Sequence, residues 1–340
     1  MKVKIKTIAA ESLGVRAYAN YIETPDIKVL IDPGCALGPK NKSKIPHPIE
    51  YIKLKEKTNE IIQYSNKADI LIISHYHNDH FKNFVVDYDY INTDNEIAEK
   101  IFSNKTIIIK DPNKFINYSQ KKRAKIFLSH AKKICDKIII ADNNKIAYGQ
   151  TELNFSEPIF HGELNSTRGW VIMTLISYNN IEKFIFTSDI QGPITKKPMN
   201  FISTYSPDFI FLDAPSSNRI NDFFTQNLKK LIKNTKKIII DHHLLRNLKW
   251  KKWINNKVGS NISNVFCAAE FNNKKLLQLE ALRKELFVKY PPSDEFIKWT
   301  NLSQKIRKLT NPPLEKMDKN FQNTFIIDIN IDKKNNDFNQ

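Results

Sequence analysis

The sequence predicts an α/β sandwich whose functional groups lie at the ends of β-strands. Short apolar runs typical of strands alternate with longer segments typical of helices. Several apolar runs end in an aspartate or a histidine, and one of them, Ile70–Ile73, leads directly into a segment with three histidines and an aspartate. Helices between strands favour a layered α/β architecture, in which polar groups at strand ends form the site.

The individual elements are predicted in chain order. Strands are expected at residues 3–5, 15–21, 28–31, 70–73, 106–109, 137–141, 170–177, 183–187, 209–212 and 237–240, and helices at residues 48–66, 113–133 and 225–233. Residues 274–289 carry leucines at helical spacing, and we interpret this stretch as a packing helix. Pro291-Pro292 would end it, and Ser293 resembles the N-cap of a further helix.

The same pattern predicts the domain organisation. We expect one domain over residues 1–327, with its polar motifs within residues 1–250 and C-terminal helices over residues 274–320 packed on it. Residues 328–340 are mostly Asn, Asp and Lys, and this composition predicts a disordered tail. With 41% hydrophobic residues, the chain can form a substantial core.

The chain is strongly basic, with 53 Lys and Arg against 36 Asp and Glu and a net charge of +17. Phosphate backbones attract clustered cations, so RNA or DNA is one predicted partner. Lysine is abundant throughout, however, and arginine occurs only seven times, which favours a general compositional bias. The densest basic run, residues 121–133, is either a nucleic-acid contact surface or the solvated face of a helix. Nothing in the pattern indicates an oligomeric state.

The cysteines and the apolar runs bear on the compartment. Three isolated cysteines form no CxxC pair, which argues against a disulfide scaffold and against a cysteine zinc site. The first residues alternate like a strand, and no apolar run approaches the roughly 20 residues that span a bilayer. We therefore expect a soluble cytoplasmic protein without a membrane partner.

The greatest concentration of possible metal ligands lies at residues 75–80. Because side chains alternate along an extended chain, His75 and His77 project to the same side and can share one metal ion. Asp79 and His80 lie one turn further on and point to a neighbouring position, where a second ion fits about 3.5–4 Å from the first. Imidazole and carboxylate ligands suit zinc, iron or manganese.

This run resembles the His-x-His-x-Asp-His signature of the metallo-β-lactamase superfamily. Further elements of that pattern occur in order: Asp32 at the end of an early strand, His161 before a glycine, Asp189 at a strand end, and the strand-end pair His242-His243. The resemblance implies a four-layer αββα fold.

A narrower resemblance is to an archaeal group of predicted hydrolases within the superfamily. It is carried by the opening Ser12-Leu13-Gly14-Val15-Arg16 and by Asp32-Pro33-Gly34.

The resemblance also implies a complete two-metal site. The implied ligands are His75, His77 and His161 for one ion, Asp79, His80 and His242 for the other, and Asp189 for both. His243 is the alternative to His242, because only one of two neighbours on an extended segment can face the metals. The other histidine would then face substrate or support the ligands.

Hydrolysis by a hydroxide bridging two divalent ions is the implied reaction, with zinc the first expectation and manganese or iron the alternatives. Asp79 would be both a ligand and the group that orients the hydroxide. A phosphodiester, in RNA, DNA or a small molecule, is the favoured substrate, and a carboxylic ester, thioester or lactam is the alternative. A di-iron redox protein and a non-catalytic metal-binding protein are alternatives of a different class.

Four further residues have two interpretations each. Asp32 supports the site by hydrogen bonding in the family's pattern, or it is an ordinary turn residue before Pro-Gly. Asp213 lines the site or caps its strand. Arg16 and Arg246 adjoin motifs, and each either holds a phosphate or carboxylate in bidentate fashion or pairs with a nearby aspartate.

Overall fold

Two β-sheets form the centre of the protein. The computed structural model describes residues 2–39, 45–215, 222–259 and 262–314, so the predicted tail at residues 328–340 lies outside the described residues. The first sheet has six strands in the order β1-β2-β3-β4-β5-β6. They are β1 (Lys4–Ala10), β2 (Tyr18–Glu23), β3 (Lys28–Ile31), β4 (Ile70–Ile73), β5 (Thr106–Ile109) and β6 (Lys137–Ile140). The pairs from β3 to β6 are parallel, and the earlier pairs are antiparallel.

The second sheet has seven strands in the order β15-β14-β13-β12-β11-β8-β7. They are β7 (Lys145–Tyr148), β8 (Thr151–Phe155), β11 (Thr174–Tyr178), β12 (Glu182–Phe186), β13 (Phe209–Asp213), β14 (Lys237–Asp241) and β15 (Val265–Phe266). A separate two-stranded ribbon joins β9 (Ile159–Phe160) and β10 (Trp170–Val171). In the second sheet β12 to β15 run parallel, as β3 to β6 do in the first.

Helices cover the outer faces of both sheets. On the first sheet lie α1 (Pro48–Lys67), α2 (Asn95–Phe102) and α3 (Tyr118–Ile134). On the second lie α4 (Lys196–Tyr205), α5 (Asp222–Asn234) and α6 (Trp250–Val258). The C-terminal part contains α7 (Ala268–Phe271), α8 (Arg283–Lys289), α9 (Asp294–Thr300) and α10 (Gln304–Leu309). None of the helices in the described ranges has both the length and the apolar character needed to cross a bilayer.

Strand β4 shows why the layers form. All four of its residues are buried, because successive side chains point to opposite faces and both faces are covered. Ile70 and Ile72 pack in the core between the sheets, whereas Leu71 and Ile73 pack under the helices. The predicted four-layer αββα sandwich is confirmed.

The parallel strands place the polar residues. Parallel neighbours have their carboxyl ends at one edge, so residues that follow β3 and β4 lie beside each other in one sheet. Residues that follow β12, β13 and β14 lie beside each other in the other sheet. Because the two sheets pack face to face, both sets meet at the same edge of the sandwich.

Several predicted elements differ from the structure: the helix predicted at residues 113–133 begins only at Tyr118, and the strand predicted at residues 15–21 begins only at Tyr18. Only Arg283–Lys289 of the predicted helix at residues 274–289 is helical. The first half of that stretch lies across the strand ends instead, where Leu277 bridges to Leu13 and donates its backbone N–H to the carbonyl of Ser12. The leucine spacing of this stretch is compatible with a helix, but these long-range backbone contacts determine its conformation. The predicted strand at residues 170–177 is divided between β10 and β11.

Candidate metal centre

The histidine run leaves the first sheet at Ser74 and turns back on itself. The backbone N–H of His80 donates to the carbonyl of His77, which closes the turn that places Asp79 and His80 beside the first two histidines. The rings of His75 and His77 lie 4.6 Å apart between centroids, and those of His75 and His80 lie 4.1 Å apart. The structure therefore brings together all four residues of the run.

The second sheet and the ribbon supply the remaining predicted ligands. His161 follows β9, Asp189 follows β12, and His242 follows β14. Among the described residues, four groups of possible ligand atoms result, each with its atoms within 4.8 Å of one another. Two of them contain the seven implied ligands: His75, His77, His161 and Asp189 in the first group, and Asp79, His80 and His242 in the second. The other two join Asp32 to His75 and His80, and Asp189 to His242 and His243.

Asp189 lies between the two groups. Its Oδ2 is 3.0 Å from Nε2 of His161 and 3.4 Å from Nε2 of His242, and its Oδ1 is 3.1 Å from Nε2 of His80. One carboxylate thus reaches imidazoles of both groups, which is the arrangement expected of a ligand shared by two ions.

Several buried nitrogen and oxygen atoms in this cluster lack hydrogen-bond partners among the described residues and are suited to bind a metal. Nε2 of His75, Nε2 of His80 and Oδ1 of Asp189 are buried, and none of them makes a hydrogen bond within the described part of the chain. Buried polar atoms are normally satisfied, so unpaired nitrogen and oxygen atoms that converge are typical of a metal site. The His and Asp cluster has the donor set for divalent metals.

Burial keeps the imidazoles of His75, His77 and His243 neutral by lowering the pKa of each. Burial also opposes protonation of His242, but the charge of Asp189 outweighs this effect and raises its pKa. Burial lowers the pKa of His75 well below its usual range and that of His77 to about 3. Burial alone would raise the pKa of Asp79, but the charges of His80 and His242 lower it to about 2. Near neutral pH this leaves imidazole lone pairs and an ionised carboxylate available as ligands.

His80 differs because it lies between two carboxylates. Burial opposes its protonation, but Asp189 and Asp32 outweigh this effect and raise its pKa well above the usual range. Its Nδ1 is 2.6 Å from Oδ2 of Asp32. A carboxylate that accepts from Nδ1 leaves Nε2, on the Asp189 side, as the atom for a metal.

Asp32 supports this cluster from below. It is fully buried, and its carboxylate accepts from the backbone N–H of Ser74 at 2.7 Å and from the hydroxyl of Ser74 at 2.6 Å. The Ser74 hydroxyl also lies 2.6 Å from that of Ser188, which follows β12 of the second sheet. Asp32 therefore contacts both His80 and the start of the histidine run.

Both histidines of the strand-end pair face the site. The expectation that only one could do so is wrong, because the chain enters a 3-10 turn at His242 and does not remain extended. The backbone of His242 has φ 71°, which turns its ring toward Asp79, at 3.7 Å, and Asp189. His243 also lines the cavity, and its Nδ1 lies 2.9 Å from Oδ1 of Asp213.

Asp213 stands behind His243 and does not open into the cavity. It is fully buried, its second oxygen accepts from the backbone N–H of Gln191, and burial raises its pKa well above the usual range. It therefore orients two residues that do line the cavity, and strand capping alone does not describe it.

Arg16 and Arg246 pair with glutamates, not with the aspartates that we expected. Arg16 donates from Nε and Nη2 to the two oxygens of Glu280, at 2.6 and 2.5 Å. Arg246 donates from Nε to Glu11 at 2.8 Å. Both arginines nevertheless line the cavity. Each therefore pairs with a glutamate and also borders the site.

The cavity above the two groups has a volume of about 500 Å³. Every residue that lines it is polar or charged, and three are arginines although the whole chain has only seven. The lining residues are Arg16, His77, Asp79, His161, Arg168, Asp189, Gln191, His242, His243 and Arg246.

Sequence reasoning missed Glu11, Arg168, Gln191 and Glu280. Gln191 lies two residues after Asp189, and Arg168 shares a loop with His161, so closeness to a predicted ligand was the available signal. The scarcity of arginine also pointed to Arg168. Glu11 and Glu280 carried no signal, because each is an isolated glutamate until the fold brings its arginine beside it.

Comparisons with known proteins identify sequence relatives along most of the chain. No family model matches the chain. A UPF0282 protein of Methanocaldococcus jannaschii is 38% identical over 292 residues, which cover 84% of this chain and 96% of that protein. A UPF0282 protein of Korarchaeum cryptofilum is 34% identical over 309 residues, 87% of this chain and 99% of that protein.

Solved structures of similar proteins are more distant in sequence. A metallo-β-lactamase fold protein of Bacillus subtilis is 13% identical with a TM-score of 0.49, and the match covers 78% of this chain and 95% of that one. A metal-dependent hydrolase of the β-lactamase superfamily is 10% identical with a TM-score of 0.44, over 78% of this chain and 94% of that one. The predicted resemblance to an archaeal group is confirmed by the sequence relatives: the chain belongs to the UPF0282 family.

Proposed function

We propose that this protein is a metal-dependent hydrolase that acts on a phosphodiester. The observation that carries the proposal is the pair of ligand groups joined by Asp189 at the floor of a cavity lined by three arginines. His75, His77 and His161 would hold one ion, Asp79, His80 and His242 the other, and Asp189 both.

Zinc is the first expectation for both positions, with manganese and iron as alternatives. When bound, two divalent ions lower the pKa of water and stabilise charge that develops on the substrate. The protein's own residues would orient the attacking water. Asp79 borders the cavity and stays ionised, so it can accept a hydrogen bond from the attacking water and orient it.

The arginines favour a phosphodiester over the other substrates. Nη1 of Arg16 and both terminal nitrogens of Arg246 make no hydrogen bond within the described part of the chain, so their guanidinium groups can still donate to an oxyanion. A carboxylic ester, thioester or lactam needs apolar surface for its acyl part, and no apolar residue among those described lines the cavity. A polar, arginine-lined cavity suits an anionic substrate.

The first test combines metal analysis with a substrate panel. Purified protein should contain close to two metal ions per chain and hydrolyse bis(p-nitrophenyl) phosphate faster than p-nitrophenyl acetate, a thioester or a lactam. Turnover of the thioester alone would overturn the phosphodiester assignment. Redox-active iron without any hydrolysis would favour the di-iron alternative, and bound metal without any reaction would favour a non-catalytic protein.

The variant Asp189→Asn tests the shared ligand. It should lose metal and lower kcat/KM by at least about 100-fold, because removing a shared ligand loosens both ions. Asp208→Asn is the matched control: Asp208 precedes β13 at the opposite end of the same sheet, where it accepts from the backbone N–H of Lys183. Full metal content in Asp189→Asn would contradict the site.

The cytoplasmic location stays a prediction. It accords with three unpaired cysteines, of which Cys35 and Cys267 are buried.

A further inference from the structure

An aromatic cluster lies on and around the β9–β10 ribbon, whose connecting loop carries two cavity-lining residues, and neither the metals nor the core account for it. We call Phe115, Phe160 and Trp170 the aromatic rim. The ring centroids of Phe160 and Trp170 lie 5.0 Å apart, and those of Phe115 and Trp170 lie 6.2 Å apart. Phe115 is 60% exposed, and its backbone has φ 47°, which is unfavourable for a bulky side chain. Burial therefore does not explain its position.

The rim is built on the ribbon that serves the metal centre. Phe160 and Trp170 pair directly across β9 and β10. The loop that joins these strands carries His161 at one end and Arg168 at the other, and both of those residues line the cavity. Two rim residues are thus chain neighbours of groups that face the reacting position.

Helix α3 fixes the loop against the histidine run. Nε2 of Gln120 donates to the carbonyl of Arg168 at 2.8 Å, while Oε1 of the same side chain accepts from the backbone N–H of Tyr76. Asn117 donates to the carbonyl of Thr167. Hydrogen bonds therefore hold the loop and the start of α3 together and against the histidine run, with the rim attached to the loop through β9 and β10.

Several exposed residues near the rim and at the start of α3 are basic or aromatic, while the loop itself also exposes Glu163, Leu164, Asn165 and Thr167. Tyr118, the first residue of α3, is 85% exposed. Lys114, Lys121 and Lys122 are exposed and make no ion pair within the described ranges. Basic side chains interleaved with exposed rings are typical of surfaces that bind single-stranded nucleic acid, because the cations follow the phosphates while the rings stack on bases.

We propose that the substrate is a single-stranded nucleic acid. This inference rests on the proposed function for the phosphodiester at the metals. One phosphodiester lies in the arginine-lined cavity, and the adjoining bases stack on the aromatic rim. The strand continues past Lys121 and Lys122 along the start of α3. A duplex keeps its bases stacked on each other, so it cannot use the rim.

The test measures binding of labelled 12-nucleotide RNA and DNA by fluorescence anisotropy, with the metals chelated so that the strand stays intact. Wild-type protein should bind at least one of the single strands more tightly than a duplex of the same sequence. Phe115→Ala and Trp170→Ala should each weaken that binding about 5- to 160-fold, the range for loss of one stacked base. Trp170→Phe, which keeps a ring, should restore most of it.

The lysines provide a second, independent readout. The double variant Lys121→Ala, Lys122→Ala should bind with a weaker dependence on salt. The slope of log K against log salt concentration should fall in magnitude by roughly 0.7 for each phosphate that the protein no longer neutralises. Lys132→Ala with Lys133→Ala, on the last turn of the same helix, is the matched control and should bind as the wild type does.

Several results would overturn the inference. Equal binding of duplex and single strand would do so, and so would wild-type affinity in both Phe115→Ala and Trp170→Ala. Wild-type hydrolysis of bis(p-nitrophenyl) phosphate without any strand binding would remove this inference and leave the proposed function. Strand binding that depends on the rim, without hydrolysis of any phosphodiester, would remove the proposed function and leave the rim as a binding surface only.

Discussion

The variant Asp32→Asn separates a supporting residue from an ordinary turn residue. The Asp32 carboxylate accepts three hydrogen bonds, two from Ser74 and one from Nδ1 of His80. Asparagine has the same shape and tolerates the left-handed backbone of this position, where φ is 50°. Its amide, however, has one acceptor oxygen, so an NH₂ group must face either Ser74 or His80.

The magnitude follows from the tautomer of His80. If the oxygen of the new amide stays on Ser74, the NH₂ group faces Nδ1, and the proton of the ring moves to Nε2. The nitrogen beside Asp189 then has no lone pair for a metal. Loss of such a carboxylate–histidine bond lowers metal affinity 10- to 100-fold, or roughly 1.4 to 2.7 kcal/mol. We expect this loss at the position shared by Asp79, His80 and His242.

The assay is a zinc titration against a chromogenic chelator, with wild type and Asp32→Asn compared at pH 7. Asp26→Asn is the control, because Asp26 also accepts several hydrogen bonds, from the backbone N–H of Gln150 and the hydroxyl of Thr151, but lies at the other end of the strands. Wild-type zinc affinity in Asp32→Asn would refute the reasoning and favour the turn interpretation.

Three further predictions concern stability. Gly34→Ala should lower the free energy of unfolding in urea by more than about 2 kcal/mol, since a Cβ there would lie 2.1 Å from the backbone nitrogen of Phe81; an unchanged midpoint would contradict this close packing. Burial lowers the pKa of His47 from 6.5 to about 4, so the unfolded chain takes up the proton first. As the pH is lowered from 6.5 to 4, the free energy of unfolding should fall by roughly 3 kcal/mol and then level off. This pH-dependent loss should be missing in His47→Asn. Arg16→Ala should lower the free energy of unfolding by about 2 kcal/mol, because the Glu280 carboxyl, at 12% exposure, would lose the guanidinium that offsets its burial, and Glu280→Ala in the same chain should recover part of that loss.

Local sequence patterns were sufficient to predict the central strands of the fold. The strand at Ile70–Ile73 and the strand at Thr106–Ile109 have the predicted bounds, because buried parallel strands are continuous apolar runs. The seven implied ligands also converge, since each follows a strand or ribbon that ends at the same edge. These features depend on alternation over a few residues, which can be read without knowing the rest of the chain.

Patterns failed where a segment's environment determined its conformation. Leucine spacing at residues 274–289 fits a helix, yet the bridge and hydrogen bond of Leu277 to the Ser12–Leu13 segment keep the start of this stretch out of a helix. Alternation predicted that one histidine of the strand-end pair faces away, but the 3-10 turn at His242–Arg246 directs both into the site. In both cases the assumption of regular local geometry was wrong.

Spacing and residue type thus led to the two sheets, the strand-end edge and the identity of the possible ligands. The long-range partners could not be obtained in that way. Glu280 lies 264 residues from Arg16, and Glu11 lies 235 residues from Arg246. The aromatic rim likewise joins residues 115 and 170 from separate elements. Periodicity reports on neighbours within a few turns, whereas pairs at such separations form only when the packed sheets bring their loops to one edge.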